Sequence, residues 1–286
     1  MPLPPLRRSL VVGTLLIALV ATGCSGSKGD DVSSGGSSTV PTTEATTTTE
    51  ATTTTAAPTT TTEATTTTTT TPADPTDVPE PAGEPLKSGS VGSRTKAVQQ
   101  ALKDQKYDPG EPDGKFGLKT TMAVWAFQQL HGLAPDGVVG PDTEKLILAK
   151  PAQTMLRPNL GPTHTEVDLT RQVMIVWRDG APTLITHVST GSGVAYCEDT
   201  DQGKNCGDAL TPEGLYSFNR RIEGWRDAPL GRLYNPVYFN GGIAVHGAAS
   251  VPDHPASHGC VRIPMSIAEY FPSLVNNGEA IEVFRS

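Results

Sequence analysis

The stretch TEVDLTRQVMIVWRDGAPTLITHV, residues 165–188, decides the fold class. Thr165-Glu166-Val167-Asp168-Leu169 and Gln172-Val173-Met174-Ile175-Val176-Trp177 are β-rich runs, too short and too β-branched for helices. Arg178-Asp179-Gly180 supplies a hairpin turn, and Thr183-Leu184-Ile185-Thr186-His187-Val188 returns from it. Further strands are expected at Gly214-Leu215-Tyr216-Ser217-Phe218, Ile243-Ala244-Val245-His246 and Ala280-Ile281-Glu282-Val283-Phe284, with Val261-Arg262-Ile263 strand-like. Only Met265 to Val275 reads as helix, started by Pro264 and interrupted near Pro272. The expected class is a mainly β sandwich with one short helix.

Upstream, the texture is helical and repetitive. Gly92-Ser93-Arg94-Thr95, Gly117-Leu118-Lys119-Thr120 and Gly140-Pro141-Asp142-Thr143 each precede a helix-period apolar pattern. Asp113-Gly114 and Asp136-Gly137 make tight turns before two of them, and the Thr or its predecessor is expected to cap the helix that follows. Trp125 and Phe127 read as core. Residues 86–150 thus form a small all-α unit of three helices, which resembles the three-helix peptidoglycan-binding domain.

The first 85 residues are of another kind. Arg7 and Arg8 precede an apolar run from Leu10 to Val20, the pattern of an export signal over 1–23. That run is too short for a comfortable membrane span. Ala21-Thr22-Gly23-Cys24 resembles a bacterial lipobox, which implies lipidation of Cys24; plain secretion and an uncleaved anchor stay open as the alternatives. Residues 24–85 are Thr- and Pro-rich and nearly free of large apolar side chains, so they read as a disordered linker that cannot bury enough surface to offset ordering. Net charge is −6 over 1–85, +2 over 86–150 and −4 over 151–286, with no basic patch of the kind that binds nucleic acid.

The four cysteines separate by position. Cys24 is the lipidation candidate. Cys197 and Cys206 lie close together in a polar, glycine-containing loop of an exported chain, where a disulfide is the natural reading and a metal pair the alternative. Cys260 remains unpaired. It sits in Ser257-His258-Gly259-Cys260-Val261-Arg262, beyond His246 at the end of a strand. A nearby imidazole is the usual means of turning a thiol into a nucleophile. Gly259 lets the backbone approach closely, so its N–H and that of Cys260 could face a developing oxyanion. His131, His164, His187 and His254 read as ordinary surface or loop histidines.

Val188-Ser189-Thr190-Gly191, Thr211-Pro212-Glu213-Gly214, Val245-His246-Gly247 and Ser257-His258-Gly259-Cys260-Val261-Arg262 together resemble the L,D-transpeptidase (YkuD) catalytic domain over 161–286. The resemblance implies a YkuD-like β-sandwich and a cysteine-dependent acyltransferase. Cys260 would be the nucleophile and His246 the base, with the other ring nitrogen of His246 held by a backbone carbonyl near Gly247. Gly259, His258, Ser257 and Gly247 would form the oxyanion and pocket set, while Arg262 and Tyr238 would contact substrate. No cofactor and no metal are implied. The implied partners are peptidoglycan stem peptides as donor and acceptor, with wall glycan at the small domain and the membrane only through the lipid anchor. Arg262 stands where mycobacterial members carry asparagine, and the spacing from His246 to His258 is shorter than theirs, which puts acceptor specificity in question. Rival readings are an L,D-carboxypeptidase using the same thioester, a zinc cluster of His246, His254, His258 and Cys260, and a non-catalytic wall-binding protein.

Overall fold

The computed structural model describes residues 83–201 and 203–286. The signal segment 1–23, Cys24 and nearly all of the linker lie outside the described residues. Three helices come first: α1 (Ser93–Asp104), α2 (Leu118–Leu130) and α3 (Pro141–Ala149). Their N-caps are Gly92, Gly117 and Gly140, with no capping side-chain hydrogen bond, so the expected Thr caps are not formed. Thr95 and Thr120 are buried instead. The Asp-Gly turns are held by glutamines. Gln99 Nε2 donates to Asp113 Oδ1 (3.2 Å) and to the Lys115 carbonyl (3.0 Å), while its Oε1 accepts from Gly114 N (2.8 Å). One repeat later, Gln128 makes the same three bonds to Asp136, Val138 and Gly137.

The rest of the chain is mostly strand. One five-stranded sheet contains β1 (His164–Asp168), β2 (Val173–Arg178), β3 (Ala181–His187), β6 (Gly214–Ser217) and β12 (Ala280–Phe284), in the order β3-β2-β1-β12-β6. Between β3 and β6 the segment expected to be a loop folds as a hairpin, β4 (Ala195–Thr200) and β5 (Gly203–Asp208), closed by the Cys197–Cys206 disulfide across directly paired positions. The second sheet holds β7 (Arg220–Arg221), β8 (Trp225–Ala228), β9 (Gly231–Asn240), β10 (Ile243–Ala248) and β11 (Val261–Pro264), with β9 at its centre. The single helix expected after Pro264 is two turns, α4 (Met265–Ala268) and α5 (Phe271–Leu274). Pro272 lacks an N–H and its ring would crowd the carbonyl four residues back, so the helix cannot run through.

The unbroken apolar run of β2 has a physical reason: both of its faces are buried. Met174 and Val176 point into the sandwich, against Val237, Val245, Val261 and Ile263 of the second sheet. Val173, Ile175 and Trp177 point outward, where a second core joins them and Ile185 to Leu102, Tyr107, Phe127 and Ile147 of the helical segment. Each such side chain contributes roughly 1.5–3 kcal/mol when fully buried. The helices therefore form a third layer. They also cover the free edge of β3, where Ile185 N donates to the Lys106 carbonyl (2.8 Å). His164 and His187, expected at the surface, are buried in this architecture: they pair with Trp177 and Val173, so both lie on the outer face of the sheet, which the preceding part of the chain covers.

Candidate active site

The parallel pairing of β10 with β11 sets the register of the site. Val245 pairs with Val261 and His246 with Arg262. Val245, Val261 and Ile263 belong to the sandwich core. Strand side chains alternate, so His246 and Arg262 face the other way, together with Ala244 and the residue entering β11, Cys260. On the next strand Tyr238 pairs with Ala244. Cys260 and His246 are therefore diagonal neighbours on one sheet face. Both line a cavity of about 740 Å³, with Tyr238 and Arg262 beside them, Ser257 and His258 at one rim, and the β4–β5 hairpin and the β8–β9 turn as walls.

The turn that presents Cys260 is built by hydrogen bonds from remote segments. Thr211 Oγ1 donates to the Gly259 carbonyl (2.7 Å) and accepts from Gly191 N (2.8 Å). Ser189 and Arg262 exchange both backbone bonds at 3.0 Å, and Ser257 N donates to the Thr190 carbonyl (2.9 Å). Gly259 has φ +133, and a Cβ there would lie 2.7 Å from the Leu210 carbonyl oxygen. That position admits only glycine. Ser257 Oγ donates to the Cys260 carbonyl (2.6 Å) and accepts from Gly259 N (3.0 Å). The Gly259 amide is thereby satisfied internally, which departs from its expected part in an oxyanion hole. Gly247 does not line the cavity either: its α-carbon packs toward Ala268 and Met265, and it serves the site through its carbonyl.

His258 is clamped from the hairpin, with Nε2 at 2.9 Å from Glu198 Oε1 and its ring edge-on to Tyr196 at 4.8 Å. Neither contact is visible in the sequence, where Glu198 and Tyr196 sit in a polar run without pattern. His254 is exposed beside Asp253 (2.8 Å) and stands apart from the cavity.

Residues 162–283 match the L,D-transpeptidase catalytic domain family (YkuD), and residues 91–147 match a peptidoglycan-binding domain family. The solved structure of an L,D-transpeptidase from Xylanimonas cellulosilytica is 34% identical and covers 72% of this chain and 100% of that one, with a TM-score of 0.64. The chain belongs to the L,D-transpeptidase family. Two curated relatives are N-acetylmuramoyl-L-alanine amidases: CwlL of Bacillus licheniformis, 39% identical over 69 residues, and CwlM of Mycobacterium tuberculosis, 39% identical over 61 residues. These alignments take in 23% and 21% of this chain but only 19% and 14% of the amidases, so the chain spans less than a fifth of either.

In this member of the L,D-transpeptidase family the protonation of Cys260 and His246 follows from burial. His246 Nδ1 lies 2.9 Å from the Gly247 carbonyl oxygen, an acceptor, so Nδ1 carries the hydrogen. The lone pair is then on Nε2. Burial pushes the imidazole down to about 4, outweighing the Gly247 carbonyl, and the Arg262 guanidinium pushes the same way. Burial also raises the Cys260 thiol, against weaker lowering by the Ala244 backbone amide and Arg262. Both shifts favour a neutral thiol and a neutral imidazole. Arg262 has no acidic side chain balancing it among the described residues, and burial lowers its own guanidinium.

Proposed function

We propose that this L,D-transpeptidase makes 3→3 crosslinks in peptidoglycan. Cys260 Sγ attacks the carbonyl at the L-centre of meso-diaminopimelate in a tetrapeptide stem, and its proton passes to His246 Nε2. The imidazolium then protonates the departing amine, releasing D-alanine and leaving a thioester. The side-chain amine of a second stem attacks that thioester. His246 takes the amine proton and returns it to the sulfur as the crosslink forms. The observation that carries this reading is the shared face of β10 and β11, which puts Cys260, His246 and Arg262 in one cavity. Arg262, uncompensated there, suits a stem carboxylate.

The chain is read as an exported envelope protein, with 1–23 as signal, Cys24 as lipid anchor and 24–85 as tether. The helical segment would face wall glycan, and Ser257, His258 and Tyr238 would shape the donor pocket.

Incubating the full chain with a disaccharide-tetrapeptide and weighing the products tests the proposal. Dimers lighter by one D-alanine are expected, and none from Cys260→Ala. Trimmed tripeptides alone would make it an L,D-carboxypeptidase, in which water takes the acyl group. Turnover by Cys260→Ala would overturn the nucleophile assignment.

A further inference from the structure

One buried imidazole lies outside the chemistry described above. His187, the last residue of β3, has 0% of its surface exposed and does not line the cavity. Its Nε2 is 2.8 Å from the Pro252 carbonyl oxygen, so that nitrogen carries a hydrogen and donates it. Burial holds the ring below the usual imidazole range, hence neutral, with a lone pair on Nδ1. The side-chain amide of Gln129, on α2, supplies the donor: its NH₂ sits 3.0 Å from Nδ1 and also faces the carbonyls of Arg171 (3.2 Å) and Trp125 (3.3 Å). The Trp125 ring meets the imidazole edge-on at 5.3 Å. A buried path of hydrogen bonds thus runs from α2 through β3 to Pro252.

Pro252 lies on the loop that leaves β10 just after His246 and returns as the turn bearing Cys260. Ala249 and Ser250 of that loop are cavity wall, and Val251 is buried. The segment just past β3 grips the same loop further along: Ser189 Oγ donates to the His254 carbonyl (2.8 Å), and the Thr190 carbonyl accepts from Ala256 N and Ser257 N (both 2.9 Å). The loop's path sets where its two ends, and the reacting groups on them, come to rest.

We propose that Gln129 and His187 are positioning residues for acyl transfer: through the Pro252 carbonyl, the helical segment seats the loop that joins His246 to Cys260. The inference rests on the assignment of those two residues as base and nucleophile. It gives the helical layer a part in catalysis separate from any hold on the wall. Small misplacements of reacting groups, caused by changes far from the chemistry, cost up to about a hundredfold in rate.

The test uses the full chain and crosslink formation from disaccharide-tetrapeptide. Gln129→Ala and His187→Ala should each lower kcat by about ten- to a hundredfold with KM within about twofold. The double variant should be no slower than the slower single one, because both act through one path. His187→Gln, whose amide can still donate toward Pro252, should recover part of kcat. In Gln129→Ala, amide exchange at Ala256 and Ser257 should quicken about tenfold while β12 stays protected. Unchanged kcat, losses that multiply in the double variant, or exchange that rises equally in β12 and the loop would overturn the proposal. If His187→Ala fails to fold, Gln129→Ala and the exchange pattern decide alone. Failure of the underlying assignment is separate, since it would show as product formed by Cys260→Ala.

Discussion

A neutral Cys260–His246 pair makes a sharp prediction about thiol reactivity. The ordinary value for a cysteine is about 9, and burial places Cys260 above it. At pH 7 fewer than about one thiol in a hundred is then ionised. The ring, pushed down to about 4, is protonated in only about one molecule in a thousand at the same pH. Alkylation by iodoacetamide consumes the thiolate, so its rate should climb about tenfold per pH unit from 6 to 8, roughly a hundredfold in all. Rates would be read by intact mass in a Cys24→Ser background, with Cys260→Ala as blank and Cys197 and Cys206 held in their disulfide. His246→Gln should leave this profile nearly where it was while abolishing crosslink formation. A rate that is flat between pH 5 and 8, together with a thiolate absorbance missing from Cys260→Ala, would refute the argument. It would mean that the imidazole ionises the sulfur at rest.

The depressed imidazole also fixes the sign of the acid response. The folded value of about 4 lies below the ordinary 6.5, so the unfolded chain binds the extra proton between them. Stability contributed by the neutral ring is complete above about pH 6.5 and falls by up to about 3 kcal/mol as pH drops to 4. Urea melts at pH 7.5 and 4.5 should show that loss, and a smaller one in His246→Gln. Gly259→Ala forces a Cβ against the Leu210 carbonyl at a positive φ, with an expected cost of about 1–3 kcal/mol and loss of crosslink formation from disaccharide-tetrapeptide; undiminished product would contradict the tight-turn account. Cys197→Ser opens a link spanning a sequence separation of 9, worth about 2.5 kcal/mol by the chain-entropy argument. With the hairpin wall loosened around Glu198 and His258, KM for the stem should rise more than kcat falls.

Readability from sequence tracked how far each element depends on its own residues. The run Val173 to Trp177 is so apolar that a strand buried on both faces is its natural fate, and the helix-period spacing of Val98, Leu102, Val124 and Phe127 is equally plain. The central strand β9 is hidden because Gly231, Arg232 and Asn235-Pro236 interrupt its pattern, and Asn235 takes φ 45 within it. The β4–β5 hairpin is hidden for the opposite reason: mostly exposed and polar, it has almost no apolar face to show. At the candidate site, Cys260 and His246 stand out by chemistry, as an unpaired thiol beyond a strand-end histidine. Thr211 stands in a motif that the sequence shows, but its bond to the Gly259 carbonyl does not; Gln129 and His187 act through contacts with residues far away in the chain, and no local spacing marks them.

The sharing of β2 between two cores limits how this protein could be taken apart or assembled. Severing the chain between Lys150 and Gly161 would leave Val173, Ile175, Trp177 and Ile185 as a water-facing oily stripe beside an unshielded strand edge. Such a surface invites self-association. A YkuD unit living without this companion needs charged or small polar groups at those four places, so gain or loss of the helices by gene fusion would have to be accompanied by repainting of the sheet.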